Sequence, residues 1–542
     1  IVNAPCFLEC FIYVYYNTIE SAKSMRSRKF PKFFDAPEAI DKFISVGNTD
    51  TEGNMKFNRE KLWDKIYACW LGKNLGGTIG TPYEAKREIQ NATGFVTPPG
   101  EPLINDDLDL QLVWLRAVEE LGVRAINERV LGEYWLTYIT PHWNEYGVGK
   151  SNMKAGIVPP MSGEVNNEEW RNSNGAWIRT EIWASLFPGQ PERAIRYAYY
   201  DACVDHGFGE GTFAAIFVEA MESAAFVISD LRELIRIGLS KIPENCRVAR
   251  SVRLAVEEYD KGTEWKDTRN KIVEDSKDLG WFQAPANVAF TILGLLYGEG
   301  DFKRSMLTAV NCGDDTDCTG ATCGALLGIM YGTEIIPKDW REYLGDRIVS
   351  GCLLHGHAVF PKSCTELTDK VIELLPVTSQ RTPLLDEYRE YRDTPVEVYD
   401  GDNDFDGVSA ETFAGSSFAD ALALRGRYYF EAENLFAKAE IELERAPYIK
   451  PGETIKGRIR IKEKLFPEKR HYSLRFLTED GFTVKGNLNL HTCSVKTEYS
   501  NGAVGEFEIT APETVKAENR IVLEIVPTGR FTPIYATLIL FG

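Results

Sequence analysis

Paired cysteines, basic charge and long apolar runs are what this sequence lacks. Its eleven cysteines are scattered from Cys6 to Cys493, and no Cys-x-x-Cys pair occurs. An odd, widely spaced set in a long chain is not a disulfide framework. Free cysteine is among the most buried residue types, so reduced, buried thiols in a cytoplasmic protein are expected. Lys+Arg number 61 against 80 Asp+Glu, a net charge of −19. Nucleic acid is bound by basic side chains that release counterions from phosphates. Without a basic stripe, nucleic acid is excluded as a main partner, and a metal cation or a neutral sugar suits the charge better. Residues 5–16 are apolar and aromatic, but the run is shorter than the ~20 residues of a spanning helix. It also lacks the basic n-region and the Ala-x-Ala site of a signal peptide. No membrane partner is expected, and no internal repeat or low-complexity tract is present.

What is present is core-forming material. Hydrophobic residues make up 44% and aromatics 12% of 542 residues, which excludes disorder for most of the chain. At ~150 residues per domain, the length predicts two to four domains. Residues 1–55 read as an N-terminal extension. Residues 56–380 read as helical: Leu62, Ile66 and Trp70 recur every four positions behind Asn58, a good N-cap. Further helices are predicted over 194–203, 212–227, 231–239 and 288–296. Residues 381–426 turn acidic and polar and read as a linker. From 427 to 542 the period drops to two. Ile455, Gly457, Ile459 and Ile461 alternate with Lys456, Arg458, Arg460 and Lys462, and Ile521, Leu523 and Ile525 repeat the pattern. Turn signals at Pro451-Gly452, Glu479-Asp480-Gly481 and Asn501-Gly502 separate the runs, as in a small antiparallel β-sandwich. The expected fold class is therefore multidomain, an all-α bundle followed by an all-β domain.

Two acidic segments each open an apolar helix: Asn105-Asp106-Asp107-Leu108-Asp109 and Gly313-Asp314-Asp315-Thr316-Asp317-Cys318. A carboxylate at a helix N-terminus is stabilised by ~0.3–1 kcal/mol. Several within so few positions repel one another, which points to a cation between them. Oxygen-only ligands suit a hard ion, Mg²⁺ or Ca²⁺. The alternative is a pair of heavily capped helix starts on a solvated face. An EF-hand is excluded, because its twelfth position would be Leu326 rather than Glu. The same test fails at Asp402-x-Asp404-x-Asp406-Gly407, where that position is Phe413, and this run reads as a solvated connector. A third segment runs from Gly72 through Gly76, Gly77 and Gly80 to Glu84. Its glycines permit close backbone approach, to a ligand or to another helix. It holds no Gly-Lys-Ser/Thr, so it is not a Walker loop. Glu84 follows a presumed helix break, from which a carboxylate can project into a cleft.

Together these segments resemble the ADP-ribosylglycohydrolase family, of the dinitrogenase-reductase-activating glycohydrolase type. Gly76, Gly77, Gly80 and Glu84 match its Gly-Asp-x-x-Gly-x-x-x-Glu element, with Gly77 in place of the Asp. Asn105 to Leu110 look like its Thr-Asp-Asp-Thr-x-Met motif, and Gly313 to Cys318 like its Gly-Gly-Asp-Thr-Asp-Thr motif. Gly175-Ala176-Trp177-Ile178-Arg179 and Asp205-His206 look like two further family segments. The resemblance covers residues 57–375. The added sandwich falls outside it.

The resemblance implies an all-α catalytic domain with two Mg²⁺ ions, or Mn²⁺, between the acidic clusters. Asp106, Asp107, Asp315 and Asp317 would be ligands, with Asn105 offering an amide oxygen. Cys318, in place of a ligand Thr, would weaken the second position, since a thiol is a poor partner for a hard ion. The implied activity is hydrolysis of a glycosidic bond to ribose through an oxocarbenium-like state, with Glu84 or Asp107 as general base. Asn174, Gly175, His206, Gly313 and Asp314 are the implied substrate contacts. The substrate would be a small ribosyl compound or an ADP-ribosylated protein. Two other readings stay open: a glycosidase for another riboside or furanoside, and a non-catalytic, crystallin-like or binding protein that keeps the bundle.

Overall fold

The computed structural model describes residues 55–354, 359–378 and, within 393–542, all but 406, 416, 424, 435, 464–469, 480 and 492–502. The expected N-terminal extension up to residue 54 and the turn at Asn501-Gly502 lie outside the described residues.

Strand β1 (Met55–Asn58) leads into α1 (Arg59–Gly80). Asn58 caps this helix as its residue type predicts, its side chain accepting the Lys61 N–H at 2.9 Å. Leu62, Ile66 and Trp70 are buried, and every position from Ala68 to Gly80 is buried as well. The helix therefore runs through the middle of the domain rather than along its surface. Its glycines are not a break. Gly72, Gly76, Gly77 and Gly80 all lie within the helix, which gives way only at the tight turn Thr81–Tyr83.

Around α1 stand α2 (Asp106–Leu121), α3 (Glu128–Tyr138), α4 (Asn144–Lys154), α5 (Glu181–Leu186), α6 (Pro191–His206) and α7 (Glu210–Ala225). These are followed by α8 (Leu231–Ser240), α9 (Arg247–Asp260), α10 (Trp265–Ser276), α11 (Ala284–Gly298), α12 (Phe302–Asn311), α13 (Thr316–Tyr331), α14 (Lys338–Leu344) and α15 (Cys364–Thr378). The most intimate pairing is α1 with α13. A Cβ added at Gly72 would lie 2.2 Å from the Gly324 carbonyl oxygen, at Gly76 2.1 Å from that of Gly320, and at Gly80 2.3 Å from that of Thr316. From the other side, a Cβ on Gly328 would lie 2.3 Å from the Ala68 carbonyl oxygen. Residues four apart share a helix face, and the partners step in opposite directions. The two helices are thus antiparallel, backbone against backbone.

The segment that reads as an acidic linker carries regular elements among its described residues from Asp393 on. Strand β2 (Val396–Tyr399) pairs in parallel with β1, in the register Met55 opposite Val396 to Asn58 opposite Tyr399. Short helices α16 (Ala410–Phe413) and α17 (Phe418–Ala423) follow. Val396, Phe413, Ala419 and Leu422 join the helical core. The Asp393 carboxylate accepts the N–H groups of Glu192 and Arg193 at 3.3 and 2.8 Å, at the start of α6. In the calcium-like run, the Asn403 side chain accepts the Asn58 N–H at 2.7 Å, so this loop braces the start of α1. Buried positions here follow no helical or strand period, which is why an acidic composition dominates the reading.

The C-terminal half-period pattern is a β-sandwich. One sheet orders β3 (Tyr428–Glu433), β4 (Ala437–Leu443), β5 (Thr454–Glu463), β9 (Ala503–Thr510) and β7 (Thr483–Gly486). The other orders β11 (Ile534–Phe541), β10 (Glu518–Pro527), β6 (His471–Leu477) and β8 (Asn489–His491). All pairings within the two sheets are antiparallel. Ile455, Ile459, Ile461, Ile521, Leu523 and Ile525 fill the core between them. Ile157, Met161 and Val165, which follow α4, share that core and seat the sandwich on the helical domain. The eight described cysteines are free and buried. No described helix is long and apolar enough to cross a membrane.

The α1–α13 contact gives a sharp expectation. Gly76→Ala places a methyl against a carbonyl that cannot move without its helix, so stability should fall by ~3 kcal/mol or more, the upper range for overpacking. Denaturant unfolding measures this, and a variant as stable as wild type would mean that the helices stand further apart.

Candidate active site

The α1–α13 pairing sets the end of one helix against the start of the other. The Thr316 hydroxyl donates to the Gly80 carbonyl at 2.8 Å. Glu84, one turn past α1, thereby reaches the first turn of α13, and carboxylate oxygens of Glu84, Asp315 and Asp317 lie within 4.8 Å of one another. Asp106, at the first turn of α2, faces the same space, and the Tyr146 hydroxyl donates to it at 2.9 Å. These four carboxylates line a cleft of about 410 Å³. Its other walls include Trp143, Glu145, Tyr146, Ser173, Asn174, Gly175, Phe282 and Cys352. A larger concavity of about 810 Å³ lies over β5, β9 and β7 on the sandwich. There Lys456 pairs with Glu508 at 3.3 Å and Arg458 with Glu442 at 2.5 Å across the strands, so it is a charge-paired sheet face.

Charge crowding marks the cleft. The Asp317 charge, then desolvation and Asp106, push Glu84 up to about 8. Burial, with Asp106 adding to it, pushes Asp317 up to about 6. Burial, then Asp317 and Glu84, raise Asp315 well above the usual carboxylate range. One Asp317 oxygen is buried without a hydrogen-bond partner.

The other residues singled out in the sequence divide into groups. Asn174 is in the cleft and donates to Asp315 at 2.6 Å, while the Trp177 indole holds its oxygen at 3.0 Å. Gly175 is there too, and any Cβ on it would meet a Glu145 carboxylate oxygen at 2.3 Å. Asp107 is not among the lining residues: it is fully buried below the cleft floor, accepting from the Cys318 thiol at 3.3 Å. Asn105 caps α2 with its oxygen on the Asp107 N–H at 2.7 Å, and its amide nitrogen fills the space left by Gly77. Gly313 and Asp314 are not lining residues either. Both have left-handed backbone, φ +78° and +69°, and Asp314 accepts from the Phe282 N–H and the Asn287 amide at 3.1 and 3.3 Å. They shape the turn that aims Asp315. His206 lies behind the wall, bonded to Asp205 at 2.8 Å and to the Ser173 hydroxyl at 3.1 Å.

Sequence reasoning passed over three groups. Glu145 lines the cleft while almost fully buried, one of its oxygens has no hydrogen-bond partner, and burial raises its pKa. A lone Glu early in a short helix carries no signal. Asp109, the third acid of its cluster, accepts the N–H groups of Gly351 and Cys352 at 2.7 and 2.8 Å, so it fixes a cleft wall instead of facing the cleft. Lys73, fully buried on α1, donates to Glu181 at 2.6 Å and faces Asp107 at 4.0 Å.

A family model described as ADP-ribosylglycohydrolase matches residues 58–377. The ADP-ribosyl-[dinitrogen reductase] glycohydrolase of Rhodospirillum rubrum is 36% identical over 58 residues, which is 11% of this chain and 20% of that protein. The match therefore spans about a fifth of that relative's length. A solved structure titled ADP-ribosylglycohydrolase-related protein complex aligns over 59% of this chain and 99% of its own at 20% identity, with a TM-score of 0.40. The family model spans more than half of the chain, over the same helices that carry the acidic cleft, and the chain belongs to the ADP-ribosylglycohydrolase family.

Proposed function

We propose that this chain is a divalent-cation-dependent glycosyl hydrolase that cleaves a bond to the anomeric carbon of a ribose. The observation that carries the reading is the convergence of Glu84, Asp106, Asp315 and Asp317 on one cleft, from three separate helix ends. The donor set is all oxygen, and a buried Asp317 oxygen lacks a partner. Such a set fits a hard ion, Mg²⁺ or Mn²⁺. Asp315 and Asp317 would hold it, with Asp106 and Glu84 beside them. When bound, the chemistry it supplies is Lewis-acid affinity for the hydroxyls of a ribose.

The protein's own groups supply the rest. The acidic floor stabilises the positive charge that develops on the sugar at the transition state. Glu84, solvent-facing beside that floor, is the general base for water. Asp107, which the sequence offers as an alternative base, is sealed from the cleft and serves the floor from below. Glu145, buried in the wall with its pKa raised, suits proton donation to the leaving group. Asn174 orients Asp315 and stands where a sugar hydroxyl would meet it.

The described walls also bear on the substrate. Trp143, Tyr146 and Phe282 are aromatic, and the charged side chains lining the cleft are all carboxylates. Such a wall suits a neutral or cationic leaving group, an arginine side chain or a base. This favours keeping the riboside reading beside that of an ADP-ribosylated protein. An ADP-ribosyl-arginine peptide and a panel of ribosides, each with and without EDTA, separate the two. No turnover of any of them in Mg²⁺ or Mn²⁺ would leave the non-catalytic reading.

Two expectations follow from the same groups. Glu84→Gln keeps size and hydrogen bonding but loses the base, so kcat should fall by about 10²-fold or more. Full activity in this variant would remove Glu84 from the chemistry. The second concerns the cation-free protein. Unfolded carboxylates titrate near ~4, whereas Glu84 and Asp317 hold protons to about 8 and about 6 in the fold. The fold binds more protons than the unfolded chain across that window. The cluster's contribution is therefore most favourable in acid and is lost as pH rises through those values. In EDTA the melting temperature should drop between pH ~5 and ~8.5, Mg²⁺ should restore it most at the alkaline end, and Asp317→Asn should flatten the slope. An unchanged slope in Asp317→Asn would show that the crowding is relieved by other means.

A further inference from the structure

Two groups of ligand-type atoms share Asp317 at the cleft floor: Glu84, Asp315 and Asp317, and beside them Asp107, Asp317 and Cys318. The family resemblance implies two ions between the acidic clusters. The two groups differ in kind. The first is all carboxylate. In the second, the Cys318 thiol donates to one Asp107 oxygen at 3.3 Å. A thiol is a poor ligand for a hard ion. The other Asp107 oxygen has no hydrogen-bond partner and faces the Lys73 ammonium at 4.0 Å.

Lys73 is not a mobile surface charge. It is fully buried on α1, and Glu181 holds it at 2.6 Å. Gln111 in turn donates to the second Glu181 oxygen at 2.8 Å. Asn105 offers no oxygen in compensation. The Asn105 oxygen is spent on the Asp107 N–H at 2.7 Å, and what Asn105 turns to Gly77 is its amide nitrogen, a donor without a hydrogen-bond partner. A position whose Asp107 carboxylate already meets a fixed ammonium and an S–H donor is disfavoured for a second cation.

We infer that the Lys73 ammonium takes the place of the second cation, so that this chain holds one divalent ion, at Asp315 and Asp317 beside Glu84, with Asp107 reserved for the lysine. The inference rests on the proposed cation-dependent reading and narrows it. It assigns Lys73 and Glu181 as positioning residues: they hold Asp107, and through it the start of α2, without touching substrate.

Counting bound ions tests this without any assay of turnover. EDTA-stripped protein is dialysed against Mn²⁺, and bound Mn²⁺ per chain is counted from the electron paramagnetic resonance of the free ion. Wild type should saturate at one. Asp315→Ala should abolish binding, and Asp107→Asn should keep the single ion with an affinity within a few-fold of wild type. Cys318→Asp, which adds a carboxylate to the second group, should still bind one ion, because Lys73 remains. Cys318→Asp combined with Lys73→Met should bind two. Two ions in wild type, or in Cys318→Asp alone, would overturn the role of Lys73 and leave the hydrolase reading standing. No ion in folded wild type would overturn that reading itself. Should the double variant fail to fold, the wild-type and Cys318→Asp counts still decide.

Discussion

Two helices that touch backbone to backbone are the constraint on which the acidic cleft depends. The glycine faces of α1 and α13 allow an approach that any side chain would forbid. That approach brings a carboxylate from beyond the end of one helix to the first turn of the other. Glycine inside a helix costs roughly 1 kcal/mol relative to alanine, and this pair spends it repeatedly along one stripe. The return is positional. Glu84 is separated from Asp315 and Asp317 by most of the helical domain in sequence, yet the three share one small volume. Moving either helix outward by the width of a methyl would open the cluster.

The second theme is charge held away from water. Beneath and behind the cleft lie Lys73 with Glu181, and Arg179 with Asp201 and Asp205, each pair buried. Buried ion pairs contribute little net stability, because desolvation offsets their attraction. They are directional, however. Arg179 also binds the Gly175 carbonyl, so the loop carrying Asn174 and Gly175 is fixed from inside. Asp109 does the same for the wall at Gly351 and Cys352. The cleft is thus a crowd of carboxylates set in a frame that these buried ion pairs hold in place.

Legibility in the sequence followed physical range. The Asn58 cap, the Leu62–Ile66–Trp70 stripe and the alternation of Ile455 to Lys462 are local patterns, and each reads directly into structure. The acidic helix starts stand out too, because three like charges within four positions repel one another. What the sequence hid was set by distant partners. Gly72 to Gly80 allowed either a helix break before Glu84 or a packing face, and only the partner α13 decides for the face. Residues 381–426 read as a linker because the buried positions among those described from Asp393 on are isolated between charges. Asp107 and Asp109 look equivalent to Asp106 in sequence, but one turn of helix directs them inward, to Lys73 and to the 351–352 backbone. Glu145 was invisible for the same reason, since its environment is supplied by Gly175 and His206 from other segments.

The small ladder between β1 and β2 has a mechanical consequence. Its strands run parallel, and the helical domain lies in the chain between them. Chain that leaves the front of β1 and chain that leaves the back of β2 emerge at opposite ends of the ladder. Tension drawn between those two points loads the rungs in shear, all together, instead of unzipping them singly. The evenly spaced bonds of a parallel pair share such a load. Force passing from residues ahead of Met55 toward the sandwich would therefore be taken by this clasp, and the glycine-packed helix behind it would be spared.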